Sequence, residues 1–334
     1  MSLSRLVSTR ANRAIMILIA TSTAHAQSPR SELAARTIPI TAANAQPTQQ
    51  TRADLVVTPA WLAEHLHDAN LVLLHVGMME DKEHYAKAHI PGARYVDLDD
   101  ISISSKNHTD SLMLEMPTPE KLRSQLATLG ISDDSRIVVY FSDDDLSPTT
   151  RVMLTLDYAG LGAHSSLLDG GMNAWKTTGH SVTAQPTRVV AGKLSPLHIH
   201  PVVTNIAYVN SHLHDAGFHL IDGRAPMYFD GVQQGMKPGR KGHIVGAHNI
   251  PFTEVTDEQL RLKSPEQLAT LFAKAGVGPR DTVVAYCHIG QQATAVLFAA
   301  RTLGHPVLLF DGSFQEWGRR TDLPVENPSD GTKK

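Results

Sequence analysis

The sequence predicts an α/β protein made of two tandem copies of one domain, each a parallel sheet covered by helices on both faces. Its 334 residues exceed one ordinary domain and suit two. Short motifs recur in the same order at an offset of roughly 150 residues, which indicates an internal duplication. Within each copy, short apolar runs alternate with helical patterns, as in open parallel sheets.

The duplication sets the expected domain boundaries. We expect a first domain over residues 53–185, a linker over 186–200, a second domain over 201–325 and a tail over 326–334. The matched pairs are Val56-Val57-Thr58 with Val202-Val203-Thr204, His89 to Ala93 with His243 to Ala247, Thr118-Pro119-Glu120 with Ser264-Pro265-Glu266, Ile137-Val138-Val139 with Thr282-Val283-Val284, and Asp169-Gly170 and Trp175 with Asp311-Gly312 and Trp317.

Each copy contains short apolar runs typical of buried parallel strands. Thr118 and Ser264 are helix N-cap candidates between these runs, because each precedes a proline at the first helical position. In such sheets, ligands bind beyond the carboxyl ends of the strands, so we expect a site there. The predicted strands lie at 71–76, 137–141 and 167–168 in the first copy, and at 218–222, 282–286 and 307–310 in the second.

The N-terminus is typical of an exported protein. Arg5, Arg10 and Arg13 precede an apolar run at 14–20, and Ala24-His25-Ala26 offers a cleavage site. A membrane anchor is the alternative, but the run is shorter than the roughly 20 residues that a span needs. We expect export to the bacterial periplasm and no membrane span in the mature chain. The expected segments are a signal peptide at 1–26 and a flexible lead-in at 27–52.

The composition argues against some classes of function and excludes an internal disulfide. The net charge of −3 argues against a nucleic-acid binder, because such proteins usually carry a basic excess. The chain has one cysteine and therefore no internal disulfide. A lone thiol in an exported protein is either buried and inert or reactive and functional.

The position of Cys287 favours a functional thiol. The apolar run 282–286 leads directly into Cys287, and a helical pattern follows from Ala293. Gly290 lets the intervening loop curl, so that backbone N–H groups point at the sulfur. These donors and the helix dipole favour thiolate over thiol, and they suit a charged persulfide equally well.

Ordered and duplicated motifs carry a family resemblance: Ile221 to Arg224, Gly242 to Ala247, the Cys287 loop, Asp311 to Trp317 and, in the first copy, His89 to Ala93 and Asp169 to Trp175. With these motifs, the chain resembles the tandem rhodanese family over residues 53–325. The resemblance implies ping-pong sulfur transfer, in which Cys287 takes the outer sulfur of thiosulfate or 3-mercaptopyruvate and passes it to a thiol or cyanide, without a cofactor. It implies a small sulfur-donor anion and a thiol acceptor as partners. The implied substrate-binding residues are His288, Ile289, Gly290, Gln291, Gln292 and Arg224, with Asp222 in a structural role.

The loop departs from the thiosulfate enzymes, which resemble C-R-K-G-V-T. His288 and Ile289 replace two cations, and Tyr228 stands where that family tends to carry an arginine. His288 would add charge mainly at acidic pH. For Arg224 we favour a structural pair with Asp222 over substrate contact. For the basic residues Lys237, Arg240 and Lys241 we favour a solvated loop over a reach into the site.

The first copy lacks the nucleophile. Its matching loop, 142–148, has no cysteine and carries three consecutive aspartates at 143–145, while His75 and Gly77 replace Asp222 and Arg224. We expect this domain to be catalytically silent, to pack against the second domain and to wall its pocket. A Ca²⁺ or Mg²⁺ site in the acidic loop is an alternative, but we favour a solvated loop and predict no metal.

Three rival functions remain to be weighed. A phosphatase would need a longer loop that ends in an arginine, whereas Gln292 is followed directly by Ala293, Thr294 and Ala295. A non-enzymatic periplasmic sulfur-binding or redox-sensing module would show no turnover with any donor. Metal binding by histidines is disfavoured, because the pairs His198/His200 and His212/His214 have i, i+2 spacing, which separates side chains on a helix. We expect Trp175 and Trp317 to be core residues, Asp169 and Asp311 to cap turns, and His243 to be structural.

Overall fold

The computed structural model describes residues 51–78, 81–104, 111–142 and 145–331. The predicted signal peptide and nearly all of the lead-in lie outside these residues, as do two aspartates of the acidic loop, Asp143 and Asp144. The described residues contain no helix with both the length and the apolar character needed to cross a membrane.

The first domain is a five-stranded sheet whose neighbouring strands are all parallel. Its strands are β1 (Val56–Val57), β2 (Leu71–Gly77), β3 (Arg94–Asp97), β4 (Arg136–Phe141) and β5 (Ser165–Leu168), in the order β1-β5-β4-β2-β3. Its helices are α1 (Arg52–Leu55), α2 (Pro59–His65), α3 (Lys82–Lys87), α4 (Pro119–Thr128), α5 (Ser147–Tyr158) and α6 (Gly171–Thr177).

The second domain repeats this topology and adds a short antiparallel pair. Its strands are β6 (Val203–Thr204), β7 (Phe218–Asp222), β8 (His243–Ile244), β9 (His248–Asn249), β10 (Thr282–Tyr286), β11 (Val307–Phe310) and β12 (Val325–Glu326). The parallel order is β6-β11-β10-β7-β9, and β8 pairs with β12. Its helices are α7 (Ile206–His212), α8 (Pro226–Phe229), α9 (Pro265–Lys274), α10 (Ala293–Thr302) and α11 (Ser313–Trp317). The predicted fold class is confirmed.

Local sequence signals explain where the matching helices α4 and α9 begin. The Thr118 and Ser264 side chains accept hydrogen bonds from the backbone N–H groups of Lys121 and Gln267, and a proline occupies the first turn of each helix. Both predicted N-caps are therefore confirmed.

Alternation along the central strand β10 decides which way the cysteine side chain points. Val284 and Tyr286 join the core on one face of the second sheet, the core that also contains Trp317. Val283, Ala285 and Cys287 join the core on the opposite face, which is continuous between the two domains. Because successive side chains alternate across a strand, Cys287 lies on the face covered by α10. Trp175 and Trp317 are buried in their own domains, as predicted.

Helices α5 and α10 pack against each other across the domain interface. Thr150 and Thr294 share a hydrogen bond of 2.8 Å there, and Arg301 pairs with Asp157 at 3.0 Å. The interface also contains polar contacts made by the loops that follow the matching strands β5 and β11.

Asp169 and Asp311, which were expected to cap turns, bind the backbone of the other domain instead. Asp169 accepts a hydrogen bond from the backbone N–H of Leu262 at 2.9 Å, and Asp311 accepts one from that of Met116 at 2.8 Å. Each donor belongs to the other domain. Because the duplicated loops face each other across the interface, the two carboxylates join the domains reciprocally.

Candidate active site

Cys287 lies at the carboxyl end of β10, the central strand of the second sheet, and its side chain is fully buried. Its backbone N–H donates to the Ser313 hydroxyl at 3.3 Å, and its carbonyl accepts from the Phe314 N–H at 3.0 Å. The His288 carbonyl accepts from the Gln315 N–H at 3.0 Å. The start of the cysteine loop is therefore fixed on the first turn of α11.

Gly290 gives the loop its curl. Its φ of +79° lies in the left-handed region that favours glycine. A Cβ at this position would lie 3.0 Å from both Arg151 Nη1 and the Asp311 carbonyl oxygen, so the space is also too small for a side chain. We infer that both the conformation and the close approach require glycine.

The curled loop keeps its backbone donors available. Among the described residues, no acceptor engages the N–H groups of residues 288–292. The loop runs into the N-terminus of α10, where the helix dipole also favours negative charge. Such an arrangement suits a negatively charged sulfur held at Cys287.

Arg224 and Asp222 form a buried ion pair below the loop. The guanidinium is 1% exposed and the carboxylate 0%, and Nη2 lies 2.6 Å from Oδ2. Nη2 also donates to the Gly242 carbonyl, and the guanidinium lies 4.1 Å from the centre of the Phe314 ring. Burial opposes the positive charge, but attraction to Asp222 outweighs it and raises the pKa of Arg224, with a smaller contribution from Cys287. The structural pairing favoured from the sequence is present.

His288 is a neutral side chain at physiological pH. Burial, and next the charge of Arg224, lower its pKa to about 4. The ring lies edge-on to Tyr228 with centroids 4.6 Å apart, and the backbone of Gly235 lies directly over it. His288 would therefore become charged only well below neutral pH. Its neighbour in the loop, Ile289, packs against the apolar core.

The basic loop 237–241 uses its donors away from the cysteine. Arg240 Nη1 donates to the Leu323 carbonyl at 2.8 Å, and Lys241 Nζ donates to the Val232 carbonyl at 3.0 Å. Lys237 and Lys241 are exposed, whereas Arg240 is half-buried. The prediction of a solvated loop therefore holds for the two lysines. Arg240 instead ties the loop to the segment before β12.

The side chains at the end of the loop differ in their surroundings. The Gln291 Nε2 donates to the Ser147 hydroxyl of the first domain at 3.0 Å, and Gln291 is only 8% exposed. Its amide is thus engaged in the interface, and its backbone N–H is the part available to a ligand. Gln292 is half-buried. His243, expected to be structural, donates from Nδ1 to the Phe229 carbonyl at 2.8 Å, and its Nε2 lies 3.1 Å from Glu326 Oε2.

One residue of the site was missed by sequence reasoning. Arg151 of α5 is 2% exposed and reaches the cysteine loop from the first domain. Its Nη1 donates to the Gly290 carbonyl at 3.0 Å and to Asp311 at 2.9 Å, and its Nη2 donates to the Leu114 carbonyl. The sequence feature that could have indicated it is a single cation in α5, a helix whose residues from Ser147 to Asp157 are all buried.

The equivalent position in the first domain holds no thiol. The Tyr140 and Tyr286 hydroxyls accept from the matching N–H groups of Ile90 and Ile244, so Phe141 stands where the second domain has Cys287. The next residue, Ser142, has its hydroxyl 2.7 Å from His75 Nε2, while His75 Nδ1 lies 3.0 Å from the Tyr140 hydroxyl. Burial lowers the pKa of His75 to about 3, so this cluster is neutral at physiological pH. Asp145 accepts from the Ser147 N–H and hydroxyl. Within the described residues, no group of three or more His, Cys, Asp or Glu side chains is arranged to hold a metal ion.

Glu316 makes the stability of the interface depend on pH. Burial, and next the carboxyl of Glu115 in the first domain, raise the pKa of Glu316 to about 7, with a further contribution from Asp311 and opposition from Arg320. The folded protein therefore keeps a proton that the unfolded chain releases near its ordinary value of 4.5. Unfolding loses that proton, so stability should fall as the pH rises from about 4.5 to about 7, by at most about 1.4 kcal/mol per pH unit.

We expect Glu316→Gln to flatten this dependence. Urea unfolding at about pH 5 and about pH 7 would measure it in both proteins. The free energy of unfolding should drop less between the two pH values in the variant than in the wild type. An equal drop in both proteins would show that Glu316 is not the group responsible.

Comparisons with known proteins were made on sequence and on structure. A family model described as a Rhodanese-like domain matches residues 58–178 and 205–320. The 3-mercaptopyruvate sulfurtransferase of Escherichia coli is 31% identical over 275 residues, covering 80% of this chain and 95% of that protein. The thiosulfate sulfurtransferase of Rattus norvegicus is 29% identical over 280 residues, covering 79% of this chain and 92% of that protein.

Solved structures share the architecture at lower identity. The anaerobic ergothioneine biosynthesis enzyme from Chlorobium limicola, in complex with trimethyl histidine, has a TM-score of 0.73 at 18% identity, covering 82% of this chain and 70% of that chain. YnjE has a TM-score of 0.71 at 22% identity, covering 82% of this chain and 68% of that chain. At these identities the likeness shows the fold alone.

Proposed function

The chain belongs to the rhodanese family and is a sulfurtransferase, and we propose that it moves a sulfane sulfur from thiosulfate or 3-mercaptopyruvate to a thiol through a persulfide on Cys287. The observation that carries this proposal is the position of the only cysteine, at the end of a central strand in a loop whose backbone donors have no acceptor among the described residues. Export to the periplasm remains a prediction from the N-terminal sequence.

The first half-reaction transfers a sulfur atom from the donor to Cys287. The Cys287 thiolate attacks the outer sulfur of the donor and forms a sulfur–sulfur bond. With thiosulfate, the donor's own sulfur–sulfur bond breaks and its electron pair leaves with sulfite. With 3-mercaptopyruvate, the carbon–sulfur bond breaks and its electron pair leaves on the enolate of pyruvate, which takes up a proton. This is covalent catalysis that divides one transfer into two steps.

The second half-reaction releases the sulfur. An acceptor thiolate attacks the outer sulfur of the persulfide, the bond to Cys287 breaks, and its electron pair returns to the cysteine as thiolate. Both enzyme forms carry a negatively charged sulfur. The backbone N–H groups of residues 288–292 and the positive end of α10 supply the stabilisation that such an anion needs.

The charges around the loop favour the less charged donor. Arg224 is paired with Asp222, while Arg240 Nη1 and Lys241 Nζ donate to the backbone carbonyls of Leu323 and Val232. His288 is neutral near pH 7, because its pKa is about 4. Thiosulfate is a dianion, whereas 3-mercaptopyruvate brings one carboxylate, so the pocket holds the second donor with less unbalanced charge.

We therefore expect kcat/KM for 3-mercaptopyruvate to exceed that for thiosulfate by about tenfold or more, equivalent to about 1.4 kcal/mol. Steady-state assays with each donor and a common thiol acceptor would measure the ratio. As a matched variant, Ile289→Lys places a cation at the half-buried loop position and should raise kcat/KM for thiosulfate selectively. Thiosulfate as the better donor of the wild-type enzyme would contradict this preference.

A further inference from the structure

We propose that Arg151, a residue of the domain that has no cysteine, is a positioning residue for sulfur transfer, because it fixes the shape of the Cys287 loop from across the domain interface. The catalytic consequence rests on the proposed function, whereas the effect on the loop rests on geometry alone. The first domain then does more than line the pocket, because one of its side chains sets the shape of the Cys287 loop.

The Arg151 guanidinium joins three segments at one point. It donates to the carbonyl of Gly290 in the cysteine loop, to the carboxylate of Asp311 in the loop after β11, and to the carbonyl of Leu114 in the first domain. The side chain is 2% exposed and its partner Asp311 is 14% exposed. A planar guanidinium offers several donors in a rigid fork, so it holds such acceptors in a defined arrangement better than an ammonium group would.

The contact with Gly290 sets the direction of the next backbone donor. The C=O and N–H of a trans peptide point in opposite directions. With the Gly290 oxygen held on Arg151, the N–H of Gln291 in the same peptide unit points away from Arg151. This N–H belongs to the loop donors that meet no acceptor among the described residues. Arg151 therefore helps to present one of the groups that would stabilise a charged sulfur.

The same face of α5 also contacts the end of the loop and the first turn of α10. Ser147, Thr150 and Arg151 are spaced at i, i+3 and i+4 and so share one side of the helix. Ser147 accepts from the Gln291 amide at 3.0 Å, and Thr150 bonds to Thr294 in the first turn of α10 at 2.8 Å.

The duplicated fold does not require a cation at this place. Thr150 and Thr294 are matching residues, because each hydroxyl donates to the carbonyl three residues earlier and the two hydroxyls bond to each other, so the position of Arg151 corresponds to Ala295 in the second domain. Packing of the two helices therefore does not by itself explain a buried arginine. In addition, the Arg151 Nε is buried without a hydrogen-bond partner among the described residues. The guanidinium is therefore placed to bond the three acceptors even though one of its own donors stays unpaired.

The test uses the full chain with Arg151→Met. We expect kcat to fall by about tenfold or more, whereas KM for the donor changes by less than about threefold, because loop shape matters most when charge develops on the sulfur. The pH profile of thiolate absorbance, referenced to Cys287→Ser, should shift towards higher pH. It reports on one group, because the chain has a single thiol. Arg151→Lys should recover part of kcat, since an ammonium retains the charge but not the fork.

Arg301→Gln is the matched control. It breaks a different ion pair of the domain interface, Arg301 of α10 with Asp157 of α5 at 3.0 Å, about 12 Å along α10 from its first residue. We expect lower thermal stability with kcat and the thiolate profile unchanged. An equal loss of kcat in Arg301→Gln and Arg151→Met would overturn the proposal, because it would indicate general damage to the interface.

A second variant covers the case in which Arg151→Met does not fold. Ser147→Ala frees the Gln291 amide without leaving a buried charge, and should shift the thiolate profile in the same direction by a smaller amount. An unchanged profile in this variant, or in a folded Arg151→Met protein, would overturn the proposal. If the wild type transfers no sulfur from any donor, the proposed function fails, yet the thiolate profiles still decide whether Arg151 shapes the loop.

Discussion

Replacing Cys287 with serine should abolish sulfur transfer, lowering kcat/KM by about a thousandfold or more with every donor. A serine oxygen cannot carry a sulfane sulfur, and no second cysteine exists to replace the first. The substitution is nearly isosteric within the buried loop, so the fold should be retained. Steady-state assays with thiosulfate and with 3-mercaptopyruvate, alongside circular dichroism of both proteins, would measure the effect.

A relocated thiol provides the control for that result. Ser142→Cys, made in the Cys287→Ser protein, places a thiol in the loop that follows β4, the strand of the first domain that matches β10. This position is followed by three aspartates and has a neutral His75 below it, so a donor anion would be repelled. We expect no recovery of activity. Substantial recovery would show that the first domain is not catalytically silent.

Arg224→Met should destabilise the second domain by about 3–5 kcal/mol. The substitution leaves the Asp222 carboxylate, which is fully buried, without its ion-pair partner. It also removes the donor to the Gly242 carbonyl and the cation over the Phe314 ring. Urea unfolding followed by tryptophan fluorescence would measure the loss, since Trp317 lies in the core of this domain.

The chain offers a matched pair for this measurement. Arg320 and Asp322 have the same i, i+2 spacing and the same 2.6 Å distance between Nη2 and Oδ2, but their side chains are 50% and 61% exposed. Arg320→Met should leave the midpoint of unfolding almost unchanged, because water screens an exposed pair. Similar losses in the two variants would contradict the view that burial makes the Asp222–Arg224 pair essential.

The parts of the structure that depend on local sequence could be predicted. The strand–cysteine–helix order at 282–302 located the loop, and the glycine at 290 indicated its curl. The proline-preceded caps at Thr118 and Ser264 fixed two helix starts. These features follow from periodicity, capping and backbone preference, each of which acts over a few residues.

Contacts between residues distant in sequence could not be predicted from the same patterns. Asp311 precedes a glycine and so resembled a turn residue, whereas its carboxylate binds Met116 and Arg151 of the other domain. His288 was expected to be charged mainly at acidic pH, and burial, with Gly235 close to the ring, lowers its pKa to about 4, further than the sequence indicated. In each case the deciding neighbour is distant in sequence, and no local pattern reports which surfaces meet.

Mass spectrometry of the chain after incubation with a sulfur donor tests the central claim most directly. The account predicts that either thiosulfate or 3-mercaptopyruvate adds about 32 Da, the mass of one sulfur atom, to the peptide containing Cys287. A thiol acceptor should remove this adduct, and Cys287→Ser should not acquire it. Turnover without any adduct on Cys287, or no adduct and no turnover with either donor, would contradict transfer through a Cys287 persulfide; the second outcome would favour a sulfur-binding or redox-sensing module.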